Sequence, residues 1–141
     1  MANITDKQRS ELVAAAIEAR ENAYVPYSKF KVGAAALGVD GKIYKGCNIE
    51  NVSYGLTNCA ERTAMFKMAS EGCYKFVAIA VTAGENATDG APCGACRQVM
   101  CEFAENLSES EVLLASTNGD YIVQTVRSLM PYPFVSYVPQ D

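Results

Sequence analysis

Apolar positions along the chain follow two rhythms. Leu12, Val13, Ala16, Ile17 and Ala23 recur at helical spacing. Thr5 opens this helix, and Gln8 three residues later completes a capping-box pattern. The segment Tyr24-Val25-Pro26-Tyr27-Ser28 breaks the rhythm. From Phe30 to Val39 the chain turns small and apolar, which predicts a strand. Asp40-Gly41 is a hairpin turn signal, so Lys42 to Cys47 is expected to pair back as a second strand. Asn48 to Asn58 is polar and irregular. A second helix is predicted from Cys59 to about Ser70, ended near Gly72. The run Phe76 to Thr82 reads as a buried strand, and Ala83 to Pro92 as a loop. A third helix is expected from Cys93 to about Asn106. Val112 to Ser116, an Asn118-Gly119 turn and Tyr121 to Gln124 predict a second hairpin. A short helical stretch, Val126 to Met130, leads into the tail Pro131 to Asp141.

The predicted order is helix, strand, strand, helix, strand, helix, strand, strand. Strands alternating with helices imply an α/β fold, a three-layer α-β-α sandwich around a mixed sheet of about five strands. No repeat, low-complexity tract or linker interrupts the 141 residues, so one domain over 1–141 is expected. Half of the residues are apolar, enough for a core without disulfides.

Charge and cysteine usage narrow the chemistry. The net charge is −4, and the 12 Lys and Arg are scattered without the basic stripe that meets phosphates. A small-molecule substrate is therefore favoured over nucleic acid. No apolar stretch approaches the roughly 20 residues of a membrane helix. Met1 to Asp6 is polar, unlike a signal peptide, so a cytoplasmic protein is expected. Thiols stay reduced there, and the six cysteines then suggest metal binding or catalysis before disulfides. There is no histidine. Any metal must be held by thiolates or carboxylates, and proton transfer falls to Glu, Asp, Tyr or Cys.

Three cysteines stand at two predicted helix starts. Cys59 is followed by Ala60 and Glu61, and Cys93 and Cys96 form a C-x-x-C within Pro92-Cys93-Gly94-Ala95-Cys96-Arg97-Gln98. Helix starts favour thiolates through free N–H groups and the positive dipole end. The spacing of Cys93 and Cys96 puts both sulfurs on one side of the first turn. With Cys59 they make a three-point site, which leaves a zinc ion one open position. Glu61, two residues after a ligand, can shuttle a proton there. Three plainer readings stay open on these residues alone. The C-x-x-C suits a redox pair. Cys47 or Cys101 could close a structural zinc site. Glu61 could be a solvated first-turn glutamate.

Taken together, Cys59-Ala60-Glu61-Arg62-Thr63-Ala64 and Pro92-Cys93-Gly94-Ala95-Cys96-Arg97-Gln98 resemble the zinc cytidine deaminases of the small homotetrameric type, in the all-cysteine variant of the signature. Tyr27-Ser28-Lys29-Phe30 and Val32-Gly33-Ala34-Ala35 look like that family's first core strand. Gly46-Cys47-Asn48-Ile49-Glu50-Asn51 looks like its nucleoside-binding segment. The resemblance implies one zinc per chain on Cys59, Cys93 and Cys96, with Glu61 as general acid and base. It implies ribose contacts from Asn48 and Glu50, an aromatic face from Phe30, a backbone contact from Ala60 and a pocket position for Tyr54. Phe134, or Tyr132 in its place, would cross a subunit boundary in a homotetramer. Arg62 would lie against the ligand sulfurs. The implied reaction is hydrolytic deamination of cytidine and deoxycytidine in pyrimidine salvage.

Each implied role has a plainer counterpart. Phe30 could be core, Asn48 and Glu50 a solvated edge, Tyr54 and Arg62 surface residues. Arg97 and Gln98 could be ordinary helix residues, although Gln98 could brace a loop. Cys47, Cys73 and Cys101 read as small buried apolar residues. A neighbouring class, deaminases of other aminopyrimidine nucleosides such as the blasticidin S type, shares the metal motifs. The Asn48-Ile49-Glu50-Asn51 segment favours a plain ribose or deoxyribose.

Overall fold

Thr5 caps the first helix as its sequence context predicts. Its Oγ1 accepts the Gln8 N–H at 3.1 Å, and Gln8 Oε1 accepts the Thr5 N–H at 2.9 Å. The computed structural model describes residues 4–136. Helix α1 spans Asp6–Arg20 and stops short of Ala23. The chain leaves it to pair elsewhere: Tyr24 N–H donates to the Asn48 carbonyl, and Glu50 N–H to the Tyr24 carbonyl.

Strands β1 (Gly33–Gly38) and β2 (Ile43–Cys47) form the expected hairpin, with Ala35 opposite Lys45 and Gly41 at φ 83° in the turn. The strand expected from Phe30 begins three residues later, so Tyr27 to Val32 is not the first core strand. Lys29 takes φ 60°, and the Asn48 side chain replaces the ladder. Asn48 Oδ1 accepts the Val32 N–H at 2.9 Å, and Nδ2 donates to the Phe30 carbonyl at 2.8 Å.

Next come α2 (Ala60–Ser70), β3 (Phe76–Thr82), α3 (Gly94–Phe103), β4 (Glu111–Ala115), β5 (Tyr121–Thr125) and α4 (Val126–Leu129). Helix α3 ends before the expected Asn106, because Glu105 N–H donates to the Phe76 carbonyl and draws the chain alongside β3. The sheet order is β2-β1-β3-β4-β5. Only β3 and β4 are parallel, and α3 makes the crossover that a parallel pair needs.

Both sheet faces are covered, as a three-layer sandwich requires. Leu12, Val13 and Ala16 of α1 pack on Ala35, Ala78, Ala80 and Leu113. Met65 and Met68 of α2 and Met100 of α3 pack on Ile79, Val81, Val112 and Leu114. Alternate residues of β3 thus serve opposite layers, which is why Phe76 to Thr82 is apolar throughout. Two glycines set how closely the layers approach. A Cβ at Gly33 would lie 2.0 Å from the Ala16 carbonyl oxygen of α1, and one at Gly46 would lie 2.4 Å from the Ala64 nitrogen of α2. Among the described residues no helix is long and apolar enough to cross a membrane.

Candidate metal centre and its cleft

The fold brings the first turns of α2 and α3 together. Cys59 is the residue before α2 and Cys93 the residue before α3, both in extended conformation. Cys96 follows on the first turn of α3. The sulfurs of Cys59, Cys93 and Cys96 lie within 4.8 Å of one another, and those of Cys59 and Cys93 are 3.9 Å apart. Two ligands at the usual Zn–S length of about 2.3 Å and a tetrahedral angle stand roughly 3.8 Å apart. The sulfur set therefore fits zinc. Cys47 and Cys101 are not part of the cluster, so neither closes it. The cluster also contains more than the C-x-x-C pair that redox chemistry would need.

Charge within the cluster is distributed unevenly. The Cys59 thiol is held well below its ordinary range, first by a hydrogen bond from Cys96 and then by Arg62. Cys96 is pushed up, first by that same bond and then by burial. The guanidinium and the neighbouring sulfur thus favour a thiolate at Cys59. Arg62 Nη2 donates to Cys59 Sγ at 3.2 Å, so Arg62 sits against a sulfur and not on the surface. Its Nε is buried without a partner among the described residues.

Glu61 follows Cys59 on the first turn of α2 and is only 4% exposed. Burial, with the nearby Cys59 charge adding to it, pushes its carboxyl up to about 7. This is not a solvated first-turn glutamate.

The cluster opens into a cleft of about 230 Å³ that Phe30, Asn48, Cys59, Ala60, Glu61 and Cys93 help to line. An adjoining cleft of about 370 Å³ is lined by Tyr27, Ser28, Glu50, Tyr54 and Thr57, and Thr57 borders both. Phe30, Asn48 and Ala60 therefore share the metal cleft, while Glu50 and Tyr54 lie one step outward. Glu50 is firmly oriented. Its Oε1 accepts the N–H groups of Tyr27 and Ser28 at 3.0 Å each, and its Oε2 accepts the Ser28 hydroxyl. These bonds, the Ser28 hydroxyl foremost, hold its carboxyl below the usual range. Tyr27 and Tyr54 meet edge-on, with ring centres 6.1 Å apart.

Asn48 already spends one donor and one lone pair on backbone, which leaves one of each for a ligand. Phe134 and Tyr132 are exposed and line neither cleft within the chain. Sequence reasoning passed over Ser28 and Thr57. Ser28 could have been found: a Ser two residues before Phe30 can turn the chain, and its hydroxyl does accept the Phe30 N–H at 3.0 Å.

A deaminase fold carrying a three-thiolate zinc site is the class these features define. The family model for the cytidine and deoxycytidylate deaminase zinc-binding region matches residues 6–108, and the chain belongs to that family. It is 53% identical to a cytidine deaminase of Halalkalibacterium halodurans, over 91% of this chain and 95% of that protein. It is also 53% identical to a cytidine deaminase of Sporosarcina psychrophila, over 88% and 89%. A crystal structure of cytidine deaminase from Burkholderia pseudomallei matches with TM-score 0.80 and 48% identity, covering 93% of this chain and all of that one. One from Mycobacterium tuberculosis matches with TM-score 0.75 and 39% identity, over 93% and 98%.

Proposed function

We propose that this single-domain protein hydrolytically deaminates cytidine and deoxycytidine to uridine and deoxyuridine, releasing ammonia, and so serves pyrimidine salvage. The observation that carries this reading is the buried Glu61, which lines the same cleft as Cys59 and Cys93 of the three-sulfur cluster. Cys59, Cys93 and Cys96 would hold one zinc per chain. Zinc, when bound, supplies the Lewis acidity that makes water a nucleophile near neutral pH. Glu61 would take the proton of the attacking water and pass it to N3 of the pyrimidine, then take the proton of the new C4 hydroxyl and give it to the amine, which leaves as ammonia while the C4 carbonyl forms. A carboxyl near 7 is suited to both halves of that task. Phe30 packs against the base, and the Ala60 backbone contacts it. Asn48 and Glu50 bind the ribose hydroxyls, so binding away from the reacting carbon positions C4.

The active unit is a homotetramer in the cytoplasm, with Phe134 reaching the site of a neighbouring chain. Mixing the purified protein with cytidine should lower ultraviolet absorbance and release one ammonia per nucleoside. Zinc-loaded protein that leaves the spectrum of cytidine unchanged would refute the proposal.

A further inference from the structure

Arg97, on the first turn of α3, grips the chain on both sides of Cys93. Its backbone N–H donates to the Cys93 carbonyl at 3.0 Å, the first bond of the helix. Its side-chain Nε donates to the Pro92 carbonyl at 2.8 Å. The two peptide units that flank Cys93 are therefore both held by one residue. Pro92 is buried, so its carbonyl needs a donor, and it lies ahead of the helix's own ladder. The guanidinium has its own anchor: Nη1 donates to the carbonyl of Leu129, the last residue of α4, at 3.0 Å. The planar guanidinium presents donors to both carbonyls at once.

Cys93 has little other support. It is exposed; its sulfur accepts the Cys96 N–H at a long 3.5 Å and stands 3.9 Å from the Cys59 sulfur. Cys96 is buried inside the helix, and Cys59 has the Arg62 guanidinium. We propose that Arg97 is a positioning residue for Cys93: by fixing both flanking peptide units against α4, it sets where that sulfur stands and hence the metal affinity of the cluster. The inference rests on the reading of Cys59, Cys93 and Cys96 as the ligand set.

The test is competition for zinc between the protein and a chromophoric chelator, together with the absorption bands of the cobalt-substituted protein. Arg97→Met keeps much of the stem and removes every donor. Its zinc affinity is expected to fall about 10–100-fold, the usual range for groups that orient ligands. Its thiolate-to-cobalt bands should shift. Arg97→Lys, with one ammonium for two carbonyls, should fall between Arg97→Met and wild type. Gln98→Leu removes the neighbouring side-chain bond to the Phe134 carbonyl but none at Cys93. It should leave both readouts at wild type. An arginine that matters only for folding would lower thermal stability while leaving zinc competition and cobalt bands unmoved, and that result overturns the proposal. So does a Gln98→Leu variant as weak for zinc as Arg97→Met. If Arg97→Met does not fold, Arg97→Lys decides alone, and wild-type affinity there overturns the proposal. A wild-type protein that takes up neither metal overturns the ligand reading itself, a result distinct from failure at Arg97.

Discussion

Glu61, Arg62 and Glu50 have separate proposed roles, and each can be tested singly. Glu61 is buried and raised to about 7, so Glu61→Gln keeps the shape and loses the exchangeable proton. Proton transfer by a placed group is worth about 10²–10⁴-fold. Turnover should fall to the upper end of that range with zinc content unchanged, and a variant retaining a tenth of wild-type kcat would exclude Glu61 as the shuttle. Arg62 offsets charge at Cys59 through its 3.2 Å bond. Arg62→Ala should cost about 10–100-fold in metal affinity or kcat, whereas a surface arginine would cost under about 1 kcal/mol. Chelator competition and steady-state rates separate the two. Glu50 supplies a pH dependence whose sign is fixed by its partners. Hydrogen bonds from Ser28 and Tyr27 lower its pKa from the ordinary 4.5, so it stays ionised down to below that value. If Glu50 binds the nucleoside as proposed, its contribution is present above that range and lost as pH falls through the lowered pKa. Ser28→Ala removes the hydroxyl bond and moves the pKa back up. The acid-side loss of kcat/KM should then begin at higher pH than in wild type, and superimposable profiles would rule out this role for Ser28.

At the scale of elements, legibility followed locality. The capping box at Thr5 and Gln8, the Asp40-Gly41 turn and the run Phe76 to Thr82 are governed by neighbours in the chain, and all three appear as read. The start of β1 was misplaced because a side chain 16 residues away, Asn48, supplies the ladder there. The end of α3 was misplaced because the Phe76 carbonyl captures the next segment. The three ligands are legible because each belongs to a short motif at a helix start; the turn at Ser28 is legible too, but its bond to Glu50 and the place of Thr57 arise only through folding. Arg97 and Gln98 were visible as residues, but their partners Leu129 and Phe134 are set by tertiary structure. Helix-to-sheet spacing gives a further test. Gly33→Ala would place a methyl carbon 2.0 Å from the Ala16 carbonyl oxygen and 2.5 Å from the Arg20 nitrogen, both backbone atoms that cannot swing away. Overpacking of this kind costs about 1–3 kcal/mol or more, so a large fall in the denaturation midpoint is expected. Gly94→Ala meets nothing within 4 Å and lies in a helix, so it should be neutral or mildly stabilising. Equal midpoints for the two variants would contradict the close approach of α1 to β1.

For the whole molecule, the residue to test is Phe134. Phe134 is 63% exposed and lines neither cleft, and Tyr132 beside it is fully exposed. Val52, Tyr54 and Leu56 are also more than 70% exposed. Tyr137, which belongs to the same aromatic tail, lies outside the described residues. Exposed apolar groups of this kind are what contact between chains would cover. Gln98 Nε2 holds the Phe134 carbonyl at 2.7 Å, so the backbone there is placed against α3. If Phe134 packs on the base in a neighbouring chain's site, Phe134→Ala should raise KM for cytidine by the worth of one aromatic contact, about 0.5–1.5 kcal/mol or roughly 2–10-fold. Zinc content should not change. Light scattering should return the mass of four chains. Subunit mixing then distinguishes a shared site from a merely adjacent one. Glu61→Gln chains lack the proton carrier but keep Phe134; Phe134→Ala chains have the reverse defect. Co-refolded in equal amounts, half of the sites carry Glu61 and about half of those face a partner that supplies Phe134, so about a quarter of the sites should regain wild-type KM if each site borrows from one neighbour. At cytidine concentrations well below KM the mixture should therefore exceed the mean of the two variants measured separately. A mixture no more active than that mean, or a fully active monomer, would confine the site to a single chain.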